Sequence, residues 1–160
     1  MADLKPKTVD ESRTTMTEIV LPNDANVYGN MLGGRVMHLI DLAGAIAAFR
    51  HCRQPVVTVS VDSLIFHHPI KVGELILLEA VVNRAFSTSM EVEVKVCSEH
   101  TLTGKRLKTS TAFLTFVALD KDGKPSRVPP SLAETPEQQK RYHAARQRRK
   151  RRLEEAASEY

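Results

Sequence analysis

Between Val36 and Phe49 only His38 and Asp41 are ionisable, and their spacing of three puts them on one helical face. The remaining positions are apolar or small, which predicts a helix entered at Gly33-Gly34 and closed near His51-Cys52-Arg53. Cations there suit the helix dipole, and Pro55 forbids continuation. A helix apolar on nearly every side is expected to be buried. It is too short and too interrupted to span a membrane, which takes about 20 apolar residues. Asp41 is therefore expected to lie sunk among aliphatic side chains, where a carboxylate is costly unless paired or hydrogen-bonded.

The segments on either side read as strands. Thr14 to Leu21 reads as a first strand stopped by Pro22, and a loop rich in Asn, Asp and Gly runs to Leu32. Loops of that length in a compact domain are often functional. Val56 to Phe66 alternates, with Val57, Val59 and Val61 on one face and Thr58, Ser60, Asp62 and Leu64 on the other. Glu74 to Phe86, Met90 to Val96 and Lys105 to Leu119 follow as an antiparallel meander, with turns at Thr88-Ser89 and Leu102-Thr103-Gly104. One helix can be apolar all round only if something surrounds it. The pattern predicts an α+β fold, a strongly curved antiparallel sheet wrapped around one long central helix. Gly44, Ala45, Ala47 and Ala48 would let the sheet approach closely.

The boundaries expected are a flexible N-terminus over 1–11, a domain over 12–126, and a Pro linker with a basic helical arm over 127–160. Charge sharpens that division. Residues 140–160 carry eight basic and three acidic groups, a net +5, whereas residues 1–139 carry fifteen and sixteen, a net −1. The basicity belongs to the tail, and the body offers no electrostatic reason to bind nucleic acid. The tail's composition is that of a solvated or frayed helix; contact with a phosphate or a subunit ranks second and nucleic acid third. No apolar run follows the first residues, so the expected location is cytoplasmic. Cys52 and Cys97 match no metal or disulfide spacing, and His67-His68 has no acidic cluster beside it, so no metal is expected.

The residues alone leave several roles open. Asp41 is either a working acid or a structural one paired with Arg35, His38 or a partner chain. Asn26 is either functional or a turn residue. Gly33-Gly34 serves either helix entry or ligand approach to free amides. Thr58 and Ser60 belong to a polar outer face or to a subunit contact or substrate groove.

The run Pro22-Asn23-Asp24-Ala25-Asn26-Val27-Tyr28-Gly29-Asn30-Met31-Leu32-Gly33-Gly34, with Asp41 seven residues on, resembles the acyl-coenzyme A thioesterase branch of the hotdog fold. Val57-Thr58-Val59-Ser60-Val61-Asp62, Phe66-His67-His68-Pro69 and Thr88-Ser89-Met90-Glu91 are similar as well, and the likeness covers roughly residues 12 to 130. The resemblance implies hydrolysis of fatty acyl-CoA to free acid and coenzyme A, with Asn26 and Asp41 as the catalytic pair. Asp41 would serve as general base or nucleophile, and Asn26 would orient water or the carbonyl. The Gly33 and Gly34 amides would hold the thioester oxygen. Arg84, Thr88 and Ser89 are candidates for the phosphate or pantetheine part of coenzyme A, although turn chemistry accounts for Thr88 and Ser89 as well. The resemblance also implies a site shared between subunits, an assembly of at least a dimer and typically a hexamer built as a trimer of dimers, and no cofactor beyond the coenzyme A of the substrate. Two rivals remain: a non-catalytic acyl-CoA sensor, and a nucleic-acid-binding protein acting through its tail.

Overall fold

The computed structural model describes residues 3–159. In chain order the elements are β1 (Lys7–Thr8), α1 (Val9–Ser12), β2 (Thr14–Ile19), a 3-10 turn (Pro22–Asp24), α2 (Gly33–Cys52) and β3 (Val56–Val61). They continue with β4 (Leu75–Ala85), β5 (Ser89–Glu99), β6 (Arg106–Ala118), β7 (Ser131–Leu132) and α3 (Pro136–Ser158). A five-stranded sheet in the order β2-β4-β5-β6-β3 is antiparallel throughout, and β4-β5-β6 form the meander. The sheet curves around α2, so the hotdog architecture expected from the sequence is the one observed.

Alternation decides what each sheet face touches. Met90, Val92, Val94 and Val96 of β5 point inward, each wholly buried against α2. Leu114 and Phe116 of β6 do the same. Helix α2 answers with Leu39, Ile40, Ala43, Ala47 and Ala48, all at 0–1% exposure. Full burial of a side chain such as Leu39 or Ile40 is worth about 1.5–3 kcal/mol each. Gly44 is where helix and sheet come closest: a Cβ there would stand 3.0 Å from Phe116. The helix ends at Arg53, which takes the left-handed conformation at φ 52° and donates its amide to the Phe49 carbonyl.

Burial is one-sided, however. Met37, Leu42 and Phe49 of α2 are each more than 40% exposed, because the sheet covers one flank of the helix and leaves the other open. The expectation of burial all round is corrected on that point.

Both ends of the chain are more firmly held than their composition suggests. Residues 1 and 2 of the expected flexible segment lie outside the described residues. From Lys7 onward that segment is ordered. β1 pairs in parallel with β7, and Thr8 and Glu11 close a capping box on α1. Buried Ser12 accepts the Val82 amide at 2.8 Å. The expected linker is packed too: Val128 is buried, and the Pro129 carbonyl accepts from His51 Nε2 at 2.7 Å.

His51 is wholly buried, and its Nδ1 has no partner among the described residues. Burial pulls its pKa below the ordinary 6.5, outweighing the opposing effect of the Pro129 carbonyl. The neutral ring therefore contributes stability that is fully present above about pH 6.5 and is lost as pH falls below it, because the unfolded chain then binds the extra proton. The loss of melting temperature from about pH 7 to pH 5.5 is expected to shrink in His51→Gln. An equal loss in both proteins would refute this.

Helix α3 is the largest departure from expectation. It is capped by Thr135 with Gln138 in a second capping box, and it lies on the outer face of the sheet. Ala145 is wholly buried. Arg148 makes a two-pronged pair with Glu91, Nε to Oε2 at 3.0 Å and Nη2 to Oε1 at 2.7 Å, while stacking on Phe113 at 3.7 Å. Arg141 reaches Glu93 at 3.4 Å, and Arg152 reaches Asp62 at 3.4 Å. The tail is a docked helix rather than a solvated arm. Periodicity of apolar residues could not reveal this, since its seam is made of arginines facing buried acids.

Candidate active site

Asp41 lies two turns into α2, on the flank the sheet leaves open. Thr58 Oγ1 donates to its Oδ1 at 2.6 Å. Among the described residues Oδ2 has no partner. Beside the carboxylate is a cavity of about 330 Å³. Ile40, Val61, Leu64 and Leu114 make its walls apolar, with Met37 and His38 beside them. This is the small end of the range for ligand pockets, about 300–1,000 Å³. A carboxylate with one oxygen fixed and the other free can accept a proton from a molecule entering that space.

The expectation that Asp41 is buried does not hold for a single chain. The residue is exposed at the cavity mouth, on the same open flank as Met37 and Leu42. It is not locked against a cation, because its hydrogen-bond partner is a neutral hydroxyl.

The expectation that Thr58 and Ser60 share a face fails for a clear reason. The register of β3 on β6 shifts between them: Thr58 faces Phe116, Ser60 faces Thr115 and Val61 faces Leu114. Val59 is the extra residue of a β-bulge, so Thr58 and Val61 turn inward toward Asp41 while Ser60 turns outward. Ser60 lines a separate cavity with Asp62, Arg148 and Arg152 under α3, and its buried Oγ has no partner among the described residues.

Asn26 caps its own loop. Its Oδ1 accepts the Tyr28 amide at 2.9 Å and the Asn30 amide at 3.2 Å. This pins the amide group and leaves Nδ2 without a partner among the described residues. A single chain does not bring Asn26 into the Asp41 cavity. Gly33 and Gly34 open α2 behind Leu32, which supplies no side-chain cap. Their amides have no acceptor among the described residues, and a Cβ on Gly34 would meet nothing within 4 Å. Gly34 remains open to a ligand, whereas a Cβ on Gly33 would stand 3.5 Å from the Phe66 ring. Arg84, Thr88 and Ser89 lie at the β4–β5 turn, away from the Asp41 cavity. Arg84 turns to the outer face under α3, where its Nη1 donates to the Tyr142 carbonyl at 3.3 Å. The Thr88 carbonyl accepts the Ala118 amide, and the Ser89 carbonyl accepts that of Phe86.

His38, three residues before Asp41 on the same helical face, also lines the cavity, although the resemblance implies no role for it. Among the described residues no group of three or more His, Cys, Asp and Glu is placed to hold a metal, and no helix is long and apolar enough to cross a membrane.

The model of the thioesterase superfamily matches residues 28–105. The chain is 44% identical over 138 residues to an uncharacterized acyl-CoA thioester hydrolase of Bacillus subtilis, covering 86% of this chain and 80% of that one. The chain belongs to the thioesterase superfamily. It is also 35% identical to the mouse cytosolic acyl coenzyme A thioester hydrolase, but it spans only 38% of that protein's length. A solved apo-hexameric acyl-CoA thioesterase superposes on this thioesterase with a TM-score of 0.92 at 41% identity, covering 96% of this chain and 99% of that one. An acyl-CoA hydrolase of Staphylococcus aureus, solved with butyryl coenzyme A, coenzyme A and coenzyme A disulfide, gives 0.89 at 37% identity, covering 96% and 93%. That enzyme is also known as variants in which an aspartate, an asparagine and a threonine are each replaced by alanine. In this thioesterase the matched segment contains Asp41 and Thr58, and Asn26 lies two residues ahead of it.

Proposed function

We propose that this thioesterase hydrolyses the thioester of fatty acyl-CoA, releasing free fatty acid and coenzyme A. The observation that carries the reading is Asp41: Oδ1 is held by Thr58, and Oδ2 is free beside an apolar cavity. Asp41 takes a proton from a water, whose oxygen attacks the carbonyl carbon. The carbon–sulfur bond then breaks, the electron pair leaves with sulfur, and the thiolate takes the proton that Asp41 had accepted, which restores the carboxylate. Gly33 and Gly34 stand about 12 Å along α2 from Asp41 of the same chain, so the amides that face the developing oxyanion at the positive end of a helix are those of a second copy. Asn26, its Oδ1 occupied, offers Nδ2 to orient the water or the carbonyl.

Asn26 and Asp41 meet only if a second copy completes the site. Two features support this. The open flank of α2 exposes Met37, Leu42 and Phe49, and β3 is an edge strand exposing Val57, Val59 and Val61. Apolar surface of that kind marks an interface. A second copy laid along it would bury Asp41, as the sequence led us to expect. The assembly proposed is a dimer and, by likeness to the hexameric acyl-CoA thioesterase, a hexamer. Coenzyme A enters only as part of the substrate. A sensor of acyl-CoA would have no use for a carboxylate with a free oxygen at the cavity.

Thiol release measured over acyl-CoA substrates from acetyl to palmitoyl tests activity and chain preference together. Turnover is expected for part of the series. Binding without release for every member would favour the sensor.

A further inference from the structure

The turn that presents Asn26 carries two large apolar side chains that its own chain leaves uncovered: Val27 is 95% exposed and Tyr28 84%. This turn is firmly built. Asn26 Oδ1 accepts the Tyr28 amide at 2.9 Å and the Asn30 amide at 3.2 Å. The Asn26 amide donates to the Asn30 carbonyl at 2.8 Å, and the Gly29 amide donates to the Asn26 carbonyl at 3.1 Å. Gly29 closes the turn at φ 78°, and its carbonyl accepts the Val72 amide at 3.0 Å, which ties the turn to the segment leading into β4. The fold thus holds an apolar tip out in solvent in one fixed shape. Pre-organised apolar surface of that kind marks a contact.

The Asp41 cavity lacks the wall that such a tip would supply. Ile40, Val61, Leu64 and Leu114 line it from one chain, and it opens on the flank where Met37 is 44% exposed. The shared site proposed above needs Asn26 of a second copy at this carboxylate. Consecutive Cα atoms stand about 3.8 Å apart, so Val27 and Tyr28 come within about 8 Å of wherever Asn26 is delivered. They cannot be held back from the cavity mouth, because the side chain that serves the chemistry is also the one that pins the turn. An apolar tip facing an apolar cavity suits an acyl chain, whereas the polar amides of a pantetheine arm would lose their hydrogen bonds between them.

We propose that the Val27-Tyr28 tip of one copy closes the acyl cavity of the other and limits the length of acyl chain that fits. This rests on the acyl-CoA reading above.

The test is kcat/KM for thiol release over the acetyl to palmitoyl series, in wild type, Val27→Trp and Tyr28→Ala. Both positions are exposed in the single chain, so the fold should survive, and circular dichroism and sedimentation check fold and assembly. In Val27→Trp the ratio of kcat/KM between the longest and shortest chains that wild type turns over is expected to fall at least tenfold, since one methylene in an apolar pocket is worth about 10–200-fold. In Tyr28→Ala, which trims the wall, the ratio is expected to rise. A mixed assembly then shows which copy supplies the wall. Asp41→Asn chains, which keep the native tip, are coexpressed with Val27→Trp chains, which keep the carboxylate. Release from the longest chain is expected to return, because Asp41 of one chain then meets the native tip of the other. No return would put tip and carboxylate in the same copy and overturn the proposal. So would unmoved ratios in both variants, or an equal loss at every chain length. Wild type releasing no thiol from any substrate would end the hydrolase reading as well, whereas an active wild type with unmoved ratios in the variants ends this proposal alone.

Discussion

Asp41→Asn is expected to slow thiol release by about a thousandfold, within the range seen when a general base is removed. Asparagine keeps the shape and can still accept from Thr58, so the fold and the cavity should survive while the proton acceptor is lost. The loss should fall on kcat with KM little changed, because the interaction removed acts in the transition state. Thr58→Val should give a milder defect of about ten- to a hundredfold, since a hydrogen bond to a charged group is worth about 1.5–3 kcal/mol. Asp41→Asn turning over at the wild-type rate, with circular dichroism unchanged, would remove Asp41 from the mechanism.

Arg148→Ala should cost about 3–5 kcal/mol of unfolding free energy, read as a lower urea midpoint. Glu91 is only 1% exposed, and the variant leaves its charge buried with the Asn83 amide as its remaining partner, at 3.3 Å. Stacking on Phe113 is lost as well. The paired change Arg148→Met with Glu91→Leu should recover most of the loss, because it is the unpaired charge that is expensive. The solvent-facing pair of Arg106 with Glu99 is a control whose removal should cost under about 1 kcal/mol. An Arg148→Ala midpoint equal to wild type would mean that α3 is not seated on the sheet in solution.

Much of the architecture was readable in advance, for physical reasons that differ by element. The apolar run of α2, its glycine entrance and Pro55 beyond it bound the helix almost to the residue. The alternation of Met90 to Val96 placed one face of β5 inward, and Gly44 predicted the tight approach that Phe116 makes. Other parts had no such signal. The bulge at Val59 is a register shift between strands distant in sequence, and no glycine or proline announces it. The docking of α3 depends on Glu91 and Glu93, which alternation marked only as polar positions of β5. The capping box of Thr8 and Glu11 is a sign of α1, but the surrounding polar residues give it no apolar periodicity. The exposure of Asp41 could not be read because it depends on what covers the open side of α2, and a single sequence does not describe its own neighbour.

The surplus residue in β3 has a consequence for how this gene can change length. A chain lacking Val59 would keep every other side chain of that strand on its present face, since the bulge already counts two residues as one. Losing Val57 instead would turn Thr58 to the other face of the sheet and away from the carboxylate, and losing Thr58 would remove that hydroxyl outright. Deletions should therefore be tolerated at one position of this strand and purged at those beside it.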